Sequence, residues 1–242
     1  MDRLHLDDNT RLLVLTGAGV SAESGIRTFR GADGLWEDQP VEKVATPEGF
    51  AADPRLVWRF YSERRAAAGA CEPNAGHRAL AEWERRLGER FLLATQNIDG
   101  LHQRAGSQRV VELHGSLFRT RCAHCTRKPF EDRTVYPVGH LERCDECRGL
   151  LRPDIVWFGE MLEEENLRRV RDFLLRGDTR LMFLAVGTSG AVWPAAGFVD
   201  GARGVGGRTW LVNADPADNT DRFHHFVQGR SGEVLPRLAV FD

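Results

Sequence analysis

The sequence predicts an α/β fold, a doubly wound, Rossmann-like parallel sheet with a small metal-binding module inserted into it. Short apolar runs of strand length alternate with helical patterns along most of the chain, an order typical of parallel sheets with right-handed crossovers. Clusters of small or polar residues follow the ends of these runs, which is where doubly wound sheets bind ligands. Two Cys-x-x-Cys pairs lie in a polar stretch that is poor in large aliphatic residues.

Composition limits the class of protein. A chain of 242 residues accommodates one sizeable domain with a small insert, and 42% hydrophobic and 28% charged residues are typical of a globular protein with a substantial core. The net charge of −2 gives no reason to expect nucleic acid. The longest apolar stretch, 181–186, is far too short for a membrane span, and residues 1–8 lack a signal-peptide core. We expect a cytoplasmic monomer with neither a nucleic-acid nor a membrane partner.

The first strand-length run, 11–15, ends in a glycine-rich turn. Gly17-x-Gly19-x-x-Ala22 matches the looser form of the dinucleotide-binding fingerprint. A helix that starts near Ala18 would direct its positive end at a pyrophosphate. This motif alone is a weak signal, since many glycine-rich turns hold no ligand.

The segment after this turn departs from an ordinary dehydrogenase. A Rossmann unit needs an amphipathic helix here and then a strand ending in an acid, whereas residues 23–37 contain three glycines and no helical period. Long ordered loops inside compact domains are usually functional. We expect this loop to carry three side chains over the bound phosphates, namely Arg27, Phe29 and Arg30.

A helical segment is expected over about 37–70. Within it, 53–68 is predicted as a helix, because an acid at the N-cap followed by proline favours a helix start. Asn74 should cap a further helix whose inner face includes His77. We interpret His77 as a core or capping residue rather than a ligand.

Two strand-length runs, 90–95 and 109–113, lead to candidate site residues. The amides, acid and glycine of 96–102 suggest polar recognition of a ligand, although a capped turn explains them equally well. His114 follows the second run directly, where a histidine is placed for general base work near neutral pH. Taken alone, a structural histidine remains the better interpretation.

The C-terminal half continues the alternation. The predicted elements are a helix over 163–175, a central strand over 181–186, a helix over 194–203, a strand over 209–212 and a closing helix over 233–240. The two strands end in small or polar turns, 187–190 and 213–215. All such turns therefore fall at one end of the predicted sheet.

Four of the five cysteines form two pairs with eighteen residues between them, namely Cys122, Cys125, Cys144 and Cys147. This spacing is typical of a structural zinc site, in which four thiolates leave no open position on the metal. His124 and His140 are rival ligands, and thiol turns without metal are the alternative. Cys71 is expected to be a bystander.

These cysteines define the predicted domains. We expect a small zinc-binding module over 117–150. It would be inserted into a Rossmann-like, dinucleotide-binding domain made of 1–116 and 151–242.

A set of long motifs follows in order along the chain, together with the two cysteine pairs: GAGVSAESGIRTFRG, TQNIDGLH, VELHG, VWFGE, GTS, VWPAAGF and VNAD. This set resembles the sirtuins, the NAD-dependent protein-lysine deacylases, over nearly the whole chain. The pattern is most similar to the bacterial CobB-like branch, which shares Arg27 where many sirtuins have proline. Asp215 stands where family members often have glutamate.

The resemblance implies that NAD is a consumed co-substrate. The residues that it assigns to NAD are Gly17, Ala18, Gly19, Val20, Ser21, Ala22, Glu23, Ile26, Arg27, Thr28, Phe29, Arg30, Trp36, Gln96, Asn97, Ile98, Asp99, Gly187, Thr188, Ser189, Asn213, Ala214, Asp215 and Ser231. His114 would be the general base, with Asn97 and Asp99 as further catalytic residues. The structural zinc would be held by the four paired cysteines.

The resemblance also implies an acyl-lysine protein or peptide that binds as an extended strand. The implied substrate residues are Tyr61, Arg64, Val156, Trp157, Phe158, Gly159, Glu160 and Val192. The acyl oxygen would attack the ribosyl carbon as nicotinamide leaves, and His114 would then take a proton from a ribose hydroxyl. The products would be free lysine, nicotinamide and acyl-ADP-ribose.

Tyr61 and Arg64 are three residues apart and share one helix face. They resemble the Tyr-x-x-Arg signature of sirtuins that accept dicarboxylic acyl groups, so we expect desuccinylase or demalonylase activity beside deacetylation. A solvated, salt-bridged helix surface is the alternative for this pair. For the whole chain, the alternatives are an NAD-linked oxidoreductase, a mono-ADP-ribosyltransferase and a non-catalytic NAD-binding module.

Overall fold

The computed structural model describes residues 3–27, 35–36 and 39–241. The strands are β1 (Leu4–Leu6), β2 (Thr10–Thr16), β3 (Leu35–Trp36), β4 (Gln39–Pro40), β5 (Phe91–Thr95), β6 (Val110–Glu112), β7 (Gly115–Cys122), β8 (Phe130–Glu131), β9 (Leu151–Ile155), β10 (Arg180–Val186), β11 (Arg208–Asn213), β12 (His225–Gln228) and β13 (Ala239–Phe241). The α-helices are α1 (Val41–Val44), α2 (Pro47–Ala52), α3 (Pro54–Ala70), α4 (Ala75–Leu87), α5 (Leu101–Arg104), α6 (Glu164–Leu175), α7 (Phe198–Gly204) and α8 (Ser231–Leu238).

The main sheet is a parallel, doubly wound sheet with the order β12-β11-β10-β2-β5-β6. The chain builds outward from β2 to β6 on one side and then from β10 to β12 on the other. The direction of winding therefore reverses between β2 and β10, which is where such sheets bind ligands. The predicted fold class is confirmed.

Helices cover both faces of the main sheet, so β2 and β5 in its interior are buried throughout. In β2, Leu12 and Val14 join a core with residues of α4 and α8 on one face. Leu13 and Leu15 join a core with residues of α6 and α7 on the other. Because successive side chains alternate between faces, a strand that is buried on both sides reads as a continuous apolar run.

A second, antiparallel sheet has the order β8-β7-β9. It shares a third core with α1, α2 and α3. Buried Arg65 on α3 ties the two parts together, since its guanidinium lies 3.0 Å from the Asp132 carboxylate and its Nε donates to the Leu117 carbonyl at 2.7 Å. The boundaries proposed at 117 and 150 fall inside β7 and just before β9, and the division into domains stays a prediction.

Local sequence signals place several helices correctly. The carboxylate of Asp53 accepts hydrogen bonds from Arg55 N and Leu56 N and caps α3. Asn74 and His77 form a capping box at the start of α4. The interpretation of His77 as a capping and core residue is therefore confirmed.

The chain ends differ from expectation. The closing helix ends at Leu238, and the residues after it form β13, which pairs in parallel with β1. The main sheet also has an unexpected edge strand, β12. Among the described residues, no helix has the length and apolar character required to cross a membrane.

Candidate active site

A cavity of about 990 Å³ lies at the carboxyl ends of the main-sheet strands, between β2 and β10. Its size is at the upper end of the roughly 300–1,000 Å³ typical of ligand pockets. The turns after β2, β5, β10 and β11 form one part of its wall, and α3 with the segment after β9 forms the other. One cavity therefore joins the predicted dinucleotide end to the predicted acyl-lysine end.

The glycine-rich turn after β2 is held tightly against the turn after β10. Gly19 N donates to the Gly187 carbonyl at 2.8 Å, and a Cβ on Gly19 would lie only 2.6 Å from the Gly187 Cα. Gly187 itself has φ of +62°, a conformation that favours glycine. The expected helix at Ala18 is a 3-10 helix, Ala18–Ser24. Glycine is thus required here for the approach of two backbones.

The polar cluster after β5 is interlocked with this turn. Ser21 Oγ donates to Asp99 Oδ2 at 2.7 Å, and Asn97 Nδ2 donates to Ser21 Oγ and to the Gly17 carbonyl, both at 3.1 Å. Asp99 is only 4% exposed. Burial raises the pKa of this carboxyl, while hydrogen bonds from Leu101 N and Ser21 oppose the rise.

His114 lines the cavity directly after β6. Its Nδ1 lies 3.0 Å from the Gln96 carbonyl. Since a carbonyl oxygen only accepts, Nδ1 carries the proton and Nε2 keeps the lone pair. Burial lowers the pKa of His114, and the hydrogen bond to Gln96 partly offsets this. The geometry supplies a neutral imidazole that can accept a proton.

The turns after β10 and β11 complete the dinucleotide end. Gln96 Nε2 donates to Thr188 Oγ1 at 3.1 Å, and Asn213 Nδ2 donates to the Thr188 carbonyl at 2.7 Å. Glu23, on the opposite wall, accepts from Ser231 Oγ at 3.0 Å and from Gly232 N at 2.7 Å. Glu23 therefore caps the start of α8.

Tyr61 and Arg64 lie buried on the same face of α3 and line the other end of the cavity. Trp157 Nε1 donates to Tyr61 Oη at 3.0 Å. The Arg64 guanidinium lies over the Phe60 ring, 3.1 Å from its centroid, and donates to the Phe60 carbonyl. Burial raises the pKa of Tyr61. A fixed cation and a phenol therefore lie at the end of the cavity that is predicted to bind the acyl-lysine side chain; this end is called the channel below.

The segment after β9 is ordered by an ion pair. Glu160 accepts from the Arg152 guanidinium at 2.6 and 2.9 Å and from Trp157 N at 2.8 Å. The Arg152 guanidinium also lies 3.4 Å from the centroid of the Trp157 ring. Trp157 is thereby buried, whereas Phe158 beside it is 48% exposed.

The four paired cysteines converge, with all four sulfurs within 4.8 Å of one another. Cys122 Sγ lies 3.5 Å from Cys147 Sγ, and Cys125 Sγ lies 3.8 Å from Cys144 Sγ. Four sulfurs at 2.3 Å from a tetrahedral zinc would be about 3.8 Å apart, so the residues fit the metal. Neither rival histidine belongs to this group.

Residues 17–194 match the model of the family described as the Sir2 family. The chain belongs to the Sir2 family. It is 48% identical to a relative from Pyrobaculum aerophilum that is named NAD-dependent protein deacylase 2. It is 45% identical to a relative from Pasteurella multocida that is named NAD-dependent protein deacylase. Each alignment covers 96% of this chain, with 91% and 97% of the respective relative. The resemblance to sirtuins is confirmed.

Solved Sir2 structures have the same fold. A Sir2 homologue in complex with NAD is 44% identical, with a TM-score of 0.85 over 94% of this chain and 87% of that one. A Sir2 complex with a p53 peptide and NAD is 30% identical, with a TM-score of 0.78 over 94% of this chain and 91% of that one.

Most of the site residues assigned from the sequence line this one sirtuin cavity. Val20 and Ser21 are buried beside it. The assignments of Thr28, Phe29, Arg30 and the Trp36 side chain lie outside the described residues. The functional role of each assigned residue stays a prediction.

The cavity also has lining residues that sequence reasoning missed, among them Ala45, Ala67, Ala68, Leu117, Trp193, Pro216, Gly229 and Arg230. Cys71, expected to be a bystander, lines the cavity two turns beyond Arg64. Arg230 follows β12, and the carboxyl end of β12 lies at the same side of the sheet as those of its neighbours. A sequence analysis that recognised β12 as a sixth strand would therefore have placed Arg230 at the cavity.

Proposed function

We propose that this chain is an NAD-dependent protein-lysine deacylase that releases nicotinamide and O-acyl-ADP-ribose. The observation that carries the proposal is the continuity of one cavity. It runs from the Gly17–Gly19 turn, past the neutral imidazole of His114, to the buried channel at Tyr61 and Arg64. A dinucleotide and an acyl-lysine side chain can therefore meet beside one base.

The residues around Asn97 are proposed to hold the nicotinamide end of NAD. Asn97, Asp99 and Ser21 already hold one another by hydrogen bonds, so they can position a carboxamide without rearrangement. NAD supplies a ribosyl carbon with nicotinamide as its leaving group. The pyrophosphate is assigned to the Gly17–Gly19 turn and Ser189, and the adenosine end lies toward Asn213.

His114 is proposed as the general base. Its Nδ1–H is fixed by the Gln96 carbonyl, so Nε2 is available to take the proton of a ribose hydroxyl. The acyl oxygen has by then displaced nicotinamide from the ribosyl carbon, and the deprotonated hydroxyl attacks the acyl carbon. The lysine amine leaves from that carbon, and one water molecule completes the formation of O-acyl-ADP-ribose. Because burial lowers the pKa of His114, the base is already neutral near pH 7.

The acylated peptide is proposed to add as an extended strand beside Val156–Glu160, with Val192 on its other side. Backbone pairing of this kind tolerates many sequences. The Arg152–Glu160 ion pair holds the receiving segment in shape. Trp157 and Phe158 would then enclose the apolar part of the acyl-lysine chain.

Dicarboxylic acyl groups are proposed as substrates in addition to acetyl. The buried guanidinium of Arg64 and the phenol of Tyr61 both line the inner end of the channel. A carboxylate at the end of a succinyl or malonyl chain would bind such a cation by charge-assisted hydrogen bonds. A neutral acetyl group is too short to require them.

Mass spectrometry tests this proposal. Acetyl-lysine and succinyl-lysine peptides are incubated with the whole protein, with and without NAD, and peptide mass, nicotinamide and O-acyl-ADP-ribose are measured. We expect each peptide to lose its acyl group only when NAD is present, with one nicotinamide released per acyl group. Transfer of ADP-ribose to the peptide, or acyl loss without NAD, would contradict the proposal.

A further inference from the structure

A second cavity, an open depression of about 670 Å³, lies at the amino ends of the main-sheet strands, and the side chains of Arg203, Arg208 and His224 in it are exposed. It is formed where β11 and β12 begin and α7 ends, and it shares no lining residue with the NAD cavity. Its lining residues are Arg203, Gly206, Gly207, Arg208, His224 and His225. β11 runs from this cavity to the NAD cavity and has six residues. At about 3.3 Å per residue, the two cavities lie roughly 20 Å apart.

All the ionisable side chains that line this second cavity are arginine or histidine. Among the described residues, neither Arg203 nor Arg208 forms an ion pair. Asp200, the acid of α7, pairs instead with Arg222 at 2.6 Å. Arg203 Nη1 donates to the Arg222 carbonyl at 3.0 Å, which fixes the guanidinium without neutralising it.

His224 adds a directed hydrogen-bond donor. Its Nδ1 accepts from Thr209 N at 3.1 Å, so in the neutral ring Nε2 carries the proton. Desolvation and then the positive charges of Arg203, His225 and Arg208 lower the pKa of His224. The neighbouring ring of His225 stacks on Trp210, with centroids 4.0 Å apart. The cavity therefore combines two guanidinium groups with the ring N–H of His224, whose direction is set by the hydrogen bond from Thr209 N.

We propose that this cavity binds a phosphate-bearing anion through Arg203, Arg208 and the Nε2–H of His224. Arg203 and Arg208 have no carboxylate partner in the part of the chain that the structure describes, and a bound anion would offset the repulsion between these two positive charges. The planar guanidinium donates two parallel hydrogen bonds to a phosphate. The volume suits ligands from inorganic phosphate to a mononucleotide.

An adjoining cavity of about 430 Å³ shows why the anion is assigned to this place. It shares Gly206 and Arg208 with the first and adds Arg176 and Arg180. These two arginines are already paired, Arg176 with Asp178 and Arg180 with Asp7. Arg11 also lines this adjoining cavity, but it is buried and donates to the Phe173 and Leu174 carbonyls. Among the described residues that line the two cavities, the exposed arginines without an ion pair are therefore Arg203 and Arg208.

Titration calorimetry on the whole protein tests this site with three probes: inorganic phosphate, pyrophosphate and adenosine monophosphate. The proteins compared are wild type, Arg203→Gln, Arg208→Gln and the double variant. The predicted NAD site also binds phosphate groups, so the readout is the difference between wild type and variants. We expect the double variant to lose one class of sites, and each single variant to bind the same probe at least about tenfold more weakly, as loss of a charge-assisted hydrogen bond implies.

The matched control is Arg169→Gln, which removes an exposed arginine of α6. It should bind all three probes as wild type does. Deacylation of an acetyl peptide should be unchanged in all variants, because these residues lie outside the NAD cavity. Equal affinity for inorganic phosphate and the nucleotide would identify the phosphate as the recognised group, whereas tighter nucleotide binding would identify a nucleotide ligand. The proposal is overturned if the double variant binds every probe like wild type, or if Arg169→Gln loses binding equally.

Discussion

At the scale of single residues, the consecutive positions Gln96 and Asn97 hold the proposed base and the proposed nicotinamide site, respectively. The Gln96 carbonyl fixes the tautomer of His114. The Asn97 amide holds Ser21 and the Gly17 carbonyl. The distance between the base and the nicotinamide end is therefore set by one short stretch of backbone, which leaves little freedom for the two groups to separate.

Removal of the base tests this arrangement. His114→Ala should lower deacylation by about two to four powers of ten, the usual contribution of a positioned acid–base group. The control His140→Ala removes an exposed histidine that contacts Glu142 and should keep normal turnover. Zinc content and the thermal midpoint should barely change in either variant. Near-normal deacylation by His114→Ala would mean that another group is the base.

The pH dependence follows from the same histidine. Because its pKa is lowered, the neutral form that accepts a proton persists below pH 6.5, the ordinary histidine value. In the wild type, kcat/KM should stay close to its plateau from pH 8 to 7 and fall to half of the plateau only below pH 6.5. A profile that already falls between pH 8 and 7 would contradict the lowered pKa.

The acyl preference rests on Arg64. A charge-assisted hydrogen bond contributes roughly 1.5–3 kcal/mol, so Arg64→Met should reduce kcat/KM for succinyl peptides about ten- to a hundred-fold. The acetyl peptide should be affected far less, since it presents no carboxylate. Arg59→Met, an exposed position on the same helix, serves as the control. Equal losses on both peptides would make Arg64 a structural residue.

Sequence position predicts some of these residues and not others. Asn97, Asp99 and His114 follow strands, so the edge of the sheet at which they meet could be inferred. The hydrogen bond from Trp157 to Tyr61 spans 96 positions in the chain. No local pattern contains such a contact, because it depends on how α3 packs against β9.

At the scale of elements, the helix caps follow sequence most closely, and α4 is the clearest case. Asn74 and His77 exchange the two capping hydrogen bonds, both within four residues. Short strands are harder to predict. The residues of β12 and β13 become strands only through their partners β11 and β1, and these pairings depend on the completed sheet.

The cap of α4 makes stability depend on pH. Burial lowers the pKa of His77 to about 4, below the ordinary 6.5, so between these values the unfolded chain binds more protons than the folded one. Stability should therefore fall as pH falls through this window, by about 3 kcal/mol between pH 8 and pH 4 from this residue. Urea unfolding at several pH values measures it. His77→Gln keeps a capping side chain and should reduce the slope. The slope that remains is expected from His102 and His114, because burial also lowers the pKa of these residues. An unchanged slope would show that His77 does not contribute to it.

At the scale of the whole molecule, the described residues form two cores on the faces of the parallel sheet and a third around the antiparallel sheet. The first two contain none of the four paired cysteines. The third contains Cys122 and Cys144 together with Tyr61 and Trp157. The proposed metal and the proposed acyl-lysine channel therefore share one core, and Ile26 and Ile98 of the proposed nicotinamide end pack against it as well. The strands β2 and β10, whose turns are assigned to the dinucleotide, belong to the other two cores.

This division determines what loss of the metal should do. Cys144→Ala removes one sulfur of the four. Metal binding and folding of a small module are one equilibrium. The variant should therefore lose its zinc, and the segment between the cysteine pairs should unfold. The KM for acyl peptides should rise, because Tyr61 and Trp157 share the affected core. NAD affinity should change much less, since β2 and β10 lie in the other cores.

Zinc analysis, calorimetry with NAD and peptide kinetics measure these three effects on the same preparation. Cys71→Ala is the matched control, because Cys71 lies outside the group of four and its loss should leave one zinc per chain. Full zinc occupancy in Cys144→Ala would point to His124 or His140 as the replacement ligand. Equal losses of NAD and peptide binding would show that the third core does not unfold separately from the parallel sheet.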